Sequence, residues 1–212
     1  YNLFAVTMKR MGINFTFVDP DCTEAELEAA FRPETRAVFG ETIANPALTV
    51  LDFEKFARVA HAHGVPLIVD NTFANAVGGA IVDSGRFDWT AHADKFPGLT
   101  TPDESYHGVT YAERFGLEGA YITKATAQLM RDFGAIPAPM NAYLLNVGLE
   151  TLPLRMARHC ENALAVARFL KGHPKVSWVR YPGLGGDPYY ERAQKYLPNG
   201  TCGVVSFGVK GG

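Results

Sequence analysis

The sequence has few cysteines, and they form no recognisable motif. Cys22, Cys160 and Cys202 are odd in number and widely spaced, with no C-x-x-C pair among them. This pattern excludes a disulfide scaffold and argues against a zinc site, so we expect no metal. Free thiols are typical of a reducing compartment, which predicts a cytoplasmic protein whose cysteines are small buried hydrophobic residues.

Long apolar runs and an excess of one charge are also absent. No run approaches the roughly 20 residues that span a bilayer, and no signal-peptide pattern opens the chain. The 20 Lys and Arg residues against 22 Asp and Glu residues give a net charge of −2. We therefore expect neither a membrane nor a nucleic acid among the partners.

The common nucleophile and phosphate-binding signatures are missing too. There is no G-x-S-x-G, no Walker loop and no G-x-G-x-x-G after a strand. The chain begins at Tyr1 without Met and ends in a strand-like run, so we expect it to be part of a longer polypeptide.

Hydrophobic periodicity instead predicts an α/β protein. The predicted helices are 1–11, 23–31, 51–63, 124–133, 141–171 with a break at Pro153, and 188–196. The predicted strands are 13–18, 35–43, 65–69, 77–82, 176–181 and 202–209. Residues 90–115, rich in Pro, Gly, His and Tyr, are predicted to be a long irregular excursion.

One stretch brings polar groups to the end of a buried strand. Residues 65–69 form a short apolar run, typical of a parallel strand buried on both faces, that leads into Asp70. Helix 51–63 links this strand to strand 35–43, which closes near Asn45, as in a right-handed βαβ unit. Both strand ends should therefore meet at one edge of the sheet, where α/β proteins bind ligands. On the residues alone, a strand cap at Asp70 is as good an interpretation as a ligand contact.

A carboxylate at such an edge needs a partner. A pyridinium nitrogen is one candidate, because an opposite charge keeps the ring protonated and able to act as an electron sink. Asn45 could hydrogen-bond the phenolic oxygen of the same ring.

Several motifs resemble the Cys/Met-metabolism family of fold-type I pyridoxal-phosphate (PLP) enzymes, and most closely its O-acetylhomoserine sulfhydrylase branch. The matching segments are residues 1–4, 41–46, 69–73, 102–108, 149–156, 158–163, 181–184 and 206–212. The resemblance implies a mostly parallel sheet flanked by helices, followed by the start of a smaller α+β C-terminal domain. It implies a partial PLP-binding large domain over residues 1–145, and a linking helix with the beginning of the C-terminal domain over residues 146–212.

The same resemblance assigns the cofactor residues. Asp70 would pair with the pyridine nitrogen, Asn45 would contact the ring, and Thr72 would support Asp70 or the ring. The family's S-x-T-K lysine motif, which should follow the D-N-T of residues 70–72, does not occur. We therefore expect a segment to be missing between Ala74 and Asn75, so that the printed residues alone would be inactive. Phosphate-binding residues would precede Tyr1, and the substrate-carboxylate arginine would follow Gly212.

The implied activity is γ-replacement, which makes homocysteine from O-acetylhomoserine in methionine biosynthesis. The sulfur donor could be sulfide, a thiol or a carrier-protein thiocarboxylate, and the family assembles as homotetramers. Cystathionine γ-synthase or γ-lyase activity is the alternative within the family. A non-catalytic paralogue that acts as a scaffold is the alternative of another class.

Overall fold

The computed structural model describes residues 3–71 and 79–211, which form a mixed α/β structure. The α-helices, α1 to α8 in chain order, are Glu24–Ala29, Phe53–Ala62, Pro97–Thr100, Tyr111–Lys124, Arg131–Phe133, Pro139–Glu150, Leu152–Lys171 and Tyr190–Tyr196. The strands, β1 to β4, are Val38–Glu41, Leu67–Asp70, Val176–Arg180 and Ser206–Val209. Shorter helical segments are π-helical at Leu3–Met8 and Ala125–Met130, and 3₁₀-helical at Thr90–His92 and Glu104–Tyr106.

The predicted unit of two parallel strands joined by a helix is formed by β1, α2 and β2. The strands pair in parallel, with Glu41 opposite Asp70 at their carboxyl ends. Asp52 caps α2 by accepting a hydrogen bond from the Lys55 N–H at 3.2 Å. Gly64 leaves the helix with a φ of 64°, a conformation that glycine adopts without steric cost.

Helix α1 begins at the predicted capping box. The Glu26 N–H donates to the Thr23 hydroxyl at 3.2 Å, and the Thr23 N–H donates to the Glu26 carboxylate at 2.8 Å. The Thr23 N–H and the Thr23 hydroxyl both donate to the Glu26 carboxylate, and these two hydrogen bonds hold the pKa of Glu26 below its ordinary value. The helix ends at Ala29, two residues before the predicted end.

One face of the β1–β2 pair is packed against α1 and α2. The buried residues of this cluster are Cys22, Leu27, Leu51, Phe56 and Val59. On the other face, Phe39 is 41% exposed and Ile68 is 44% exposed. The prediction that β2 is buried on both faces is therefore wrong for the described chain. An apolar run indicates that a strand can be buried, but it does not indicate whether a second layer of the protein covers its other face.

Two of the predicted strands, residues 13–18 and 77–82, are not formed by the described residues. Residues 13–18 have no regular structure, and Phe17 is 53% exposed. Residues 79–82, the described part of predicted strand 77–82, are also irregular, and Val82 is 89% exposed. A strand requires a hydrogen-bonded neighbour, which local alternation of apolar residues cannot supply.

The predicted excursion, residues 90–115, is more ordered than its composition indicates. Short helices in this region pack around Trp89 and Tyr111, which are 5% and 0% exposed. Helix α4 begins at Tyr111, and Gly116 interrupts its helical conformation with a φ of 66°. The helix predicted over 124–133 is present as the end of α4 and the segments that follow it.

The later part of the chain follows the predicted order of elements. A break at Thr151 separates α6 from α7, and Pro153 lies in the first turn of α7, where proline is tolerated. Strands β3 and β4 pair antiparallel. Cys22 and Cys202 are buried as predicted, whereas Cys160 is half-buried, and all three are free thiols. Over residues 3–71 and 79–211, every helix is too short or too polar to cross a membrane.

Candidate functional site

The candidate site begins where the two parallel strands end. Because Glu41 and Asp70 are register partners, their side chains lie on the same face of the sheet, with their Cα atoms about 4.8 Å apart. The Thr42 N–H donates to the Asp70 carbonyl at 2.9 Å, which extends the pairing by one residue. Asp70 is half-buried on the face that carries Phe39 and Ile68.

Asn45 lies in a loop that leaves β1, residues 43–50, which we call the site loop. An antiparallel bridge between Ile43 and Val50 closes its base. The Ala44 N–H donates to the Thr49 carbonyl at 2.9 Å, and the Leu48 N–H donates to the Ala44 carbonyl at 2.7 Å. These backbone hydrogen bonds close the loop, and Asn45 is an exposed residue near its tip.

Glu41 connects the strand edge to the site loop. Its carboxylate accepts a hydrogen bond from the Asn45 N–H at 3.2 Å. Glu41 belongs to the matching segment 41–46, but no role was predicted for it from the sequence. The signal in the sequence was its position at the end of a strand, four residues before Asn45. A carboxylate at that position can accept a hydrogen bond from an N–H of the loop that follows.

Asp70 and Asn45 are thus brought to neighbouring strand ends, as the sequence predicts. Thr72 lies outside the described residues, and so do Ala74 and Asn75, between which the missing segment is predicted. The assignment of Asp70, Asn45 and Thr72 to cofactor binding stays a prediction.

Lys124 belongs to a different cluster. Its ammonium forms a salt bridge with Asp103 at 2.6 Å, and their side chains are only 20% and 13% exposed. The hydrogen bonds from Lys124 and Ser105 lower the pKa of Asp103 to about 2. Lys124 also lies over the Tyr111 ring, 4.7 Å from its centroid. This lysine therefore stabilises the region around Tyr111.

The carboxylate and the amide at the strand edge suit a pyridine ring that carries a phenolic oxygen. A half-buried carboxylate can pair with a ring N–H, and an amide can donate to a phenolate. No group of three or more His, Cys, Asp and Glu side chains in the described part of the chain could hold a metal ion. The residues fit the ring of pyridoxal phosphate but supply no lysine for its covalent attachment.

Comparison with known proteins identifies the family of the chain. Residues 1–212 match the family described as Cys/Met metabolism PLP-dependent enzyme. The homocysteine/cysteine synthase of Saccharomyces cerevisiae is 44% identical over 238 residues, which cover 99% of this chain and 53% of that protein. The O-acetyl-L-homoserine sulfhydrylase of Leptospira meyeri is 40% identical over 247 residues, which cover 100% of this chain and 55% of that protein.

A solved structure shows the same fold. The putative O-acetylhomoserine (thiol)-lyase of Campylobacter jejuni, determined with N'-pyridoxyl-lysine-5'-monophosphate, superposes with a TM-score of 0.88 at 31% identity. The match covers 99% of this chain and 57% of that one. The chain spans about half the length of the curated relatives it matches, and its α/β fold is that of fold-type I PLP enzymes. The chain therefore belongs to the Cys/Met metabolism family of PLP-dependent enzymes.

Proposed function

We propose that this protein is a PLP-dependent transferase that forms homocysteine from O-acetylhomoserine and a sulfur donor, a step of methionine biosynthesis. The observation that carries the proposal is the meeting of Asp70 and the Asn45 loop at one edge of a parallel sheet. Relatives named homocysteine synthase and O-acetylhomoserine sulfhydrylase support the choice of reaction.

In this proposal, the residues at the strand edge hold the cofactor ring. Bound PLP supplies an electron sink for the substrate carbanion. Asp70 pairs with the pyridine nitrogen and keeps it protonated, because an opposite charge favours the cationic form. Asn45 donates to the phenolic oxygen, and Thr72 supports Asp70 or the ring.

Glu41 contributes in two ways. It accepts the Asn45 N–H at 3.2 Å and so fixes the start of the site loop. Its carboxylate also lies on the same sheet face as that of Asp70. Two neighbouring negative charges favour a cationic ring over a neutral one.

The covalent anchor is proposed to lie in a segment between Ala74 and Asn75 that this chain lacks. The sequence has no S-x-T-K motif, and the matched regions of relatives run over 238 and 247 residues although the chain has 212. Lys124 does not take the role of anchor in this proposal, because its ammonium is paired with Asp103.

The proposed domain boundary lies near residue 145. Residues 1–145 form the partial PLP-binding domain, and residues 146–212 form the linking helix and the beginning of a C-terminal domain. The separate antiparallel pair of β3 and β4 supports this division, and the helix break that follows the proposed boundary lies at Thr151, after α6.

Assembly into a homotetramer is proposed from helix α6. None of its residues is buried. Its exposed apolar side chains include Met140, Tyr143, Leu144 and Val147, with 45–63% of their surface accessible. An apolar helix of this kind is typical of an interface between subunits. Three free thiols support a cytoplasmic location.

The deciding experiment incubates the intact protein and PLP with O-acetylhomoserine and either sulfide or a thiol. Homocysteine or its thioether is the expected product, and a thiocarboxylated carrier protein is tested as a third donor. Formation of α-ketobutyrate without homocysteine would identify a γ-lyase, and formation of cystathionine from O-acetylhomoserine and cysteine, with no product from sulfide, would identify a γ-synthase. A protein that binds no PLP would be a non-catalytic paralogue.

A further inference from the structure

The buried apolar residues of the site loop belong to a cluster formed with the C-terminal part of the chain. Ile43, Leu48 and Val50 are 4%, 1% and 0% exposed. The other buried members of their cluster are Ala163, Ala167, Tyr181, Leu184, Ala193 and Cys202. The apolar side of the loop is therefore shaped by residues that follow it by more than a hundred positions.

Two polar side chains from the same part of the chain hold backbone carbonyls of the loop. The Ser206 hydroxyl, at the start of β4, donates to the Pro46 carbonyl at 2.9 Å. The Arg192 guanidinium, on α8, donates to the Val50 carbonyl at 3.3 Å. The first contact is at the loop tip, next to Asn45, and the second is at its base.

These two side chains donate hydrogen bonds to the loop from outside it. Pro46 has no N–H, so its carbonyl is its sole backbone hydrogen-bonding group. Ser206 satisfies that carbonyl directly after Asn45. Arg192 is in turn fixed by a salt bridge to Asp21 at 2.6 Å, so its guanidinium is not free to leave Val50 without breaking an ion pair.

We propose that Ser206 and Arg192 are positioning residues that set Asn45 for the cofactor ring by holding the site loop from the C-terminal side. This inference rests on the proposed function, which assigns Asn45 to the ring. It adds that affinity for the cofactor depends on side chains of α8 and β4 that do not touch the strand edge.

The test compares Ser206→Ala with Ser206→Thr and Ser177→Ala in the intact protein. Ser206→Thr keeps a hydroxyl. Ser177 is a matched control, because its hydroxyl donates to the Gly208 carbonyl at 3.0 Å within the β3–β4 pair and not to the site loop. The dissociation constant of PLP is measured by absorbance and fluorescence titration. Loss of one hydrogen bond predicts an increase of about fivefold for Ser206→Ala, with Ser206→Thr and Ser177→Ala within about twofold of wild type.

Amide hydrogen exchange of the protein without PLP gives an independent readout. The Ala44 and Leu48 amides, which bond within the loop, should exchange about fivefold faster in Ser206→Ala and at the wild-type rate in Ser177→Ala. Arg192→Met should act in the same direction. Asp21→Asn, which weakens the salt bridge that fixes Arg192, should have a smaller effect of the same sign.

The outcomes separate this inference from the proposed function. If wild type binds PLP and Ser206→Ala matches it in affinity and exchange, the positioning role is wrong. If Ser206→Ala and Ser177→Ala change both quantities equally, the effect is general loss of stability and the positioning role is also wrong. If wild type itself binds no PLP, the proposed function fails and the role of Asn45 fails with it, whatever the exchange rates.

Discussion

At the scale of single residues, we expect loss of the Asp70 carboxylate to reduce the rate of catalysis most. Asp70→Asn removes the opposite charge that the proposal places beside the ring nitrogen, which lowers that nitrogen's pKa by about 1–3 units. We expect kcat for homocysteine formation to fall about 10- to 1000-fold. The measurement is steady-state kinetics at saturating PLP.

A matched variant controls for the change of charge. Asp94 is an exposed carboxylate outside the strand edge, and Asp94→Asn should leave kcat within about twofold of wild type. Equal activity of Asp70→Asn and wild type would return Asp70 to the role of a strand cap.

The salt bridge between Asp103 and Lys124 predicts a pH dependence of stability. Because the pKa of Asp103 is lowered in the folded state to about 2, the pair stabilises the fold above the unfolded-state pKa near 3.9. The stabilisation is lost as the pH falls from about 4 to 2. Asp103→Asn should lower the free energy of unfolding by about 2 kcal/mol at pH 7, and this difference should shrink across that pH range.

Urea unfolding of wild type and Asp103→Asn at several pH values measures this effect. Asp132→Asn is the control, because its salt bridge to Arg131 joins side chains that are 47% and 48% exposed. An exposed pair contributes at most about 1 kcal/mol, so this variant should change little. Similar losses in both variants would contradict the structural role of the Asp103–Lys124 pair.

At the scale of elements, local chemistry predicted the helices better than the strands. The Thr23 capping box, the amphipathic face of α2 and Pro153 in α7 each act within a few residues, so the sequence alone located those helices. Residues 13–18 and 79–82 have the composition of strands, but within residues 3–71 and 79–211 no strand pairs with them. Strand formation depends on partners distant in sequence, which periodicity does not reveal.

Helix α6 carries the prediction about assembly. Leu144, 58% exposed, is replaced by Glu to place a charge in the proposed interface. We expect Leu144→Glu to dissociate the proposed tetramer into smaller species in sedimentation velocity, because burying an unpaired carboxylate is unfavourable. Asn146→Glu adds the same charge at an exposed polar position of the helix and should stay tetrameric. Equal sedimentation of the two variants would exclude α6 from the interface.

At the scale of the whole molecule, the site was predictable in part. Asp70 and Asn45 follow consecutive strands of a βαβ unit, and parallel pairing brings such strand ends together. Ser206 and Arg192 could not be found this way, since they reach the site loop across 160 and 142 positions of sequence. Only the packing of α8 and β4 on the loop brings them there.

The missing anchor gives a prediction for the intact protein. After incubation with PLP and reduction with borohydride, peptide mapping should find the pyridoxyl group on a lysine of an S-x-T-K peptide that follows Ala74. Lys124 should be unmodified, because its ammonium is held by Asp103. A pyridoxyl group on Lys124, or an intact mass of 23.1 kDa with full activity, would contradict the proposed segment.

The contact between Ser206 and Pro46 has a consequence for how the protein is made. The two residues are 160 positions apart, and ribosomes add about 5–20 residues per second. Over the 160 positions of the printed sequence, the site loop therefore emerges roughly 8–32 s before the hydroxyl that fixes its tip, and the proposed segment between Ala74 and Asn75 lengthens this interval. During that interval the nascent chain has its βαβ unit but an unfinished cofactor edge. Under the proposed role of Asn45, the order of translation makes cofactor capture a late event, after α8 and β4 have left the ribosome.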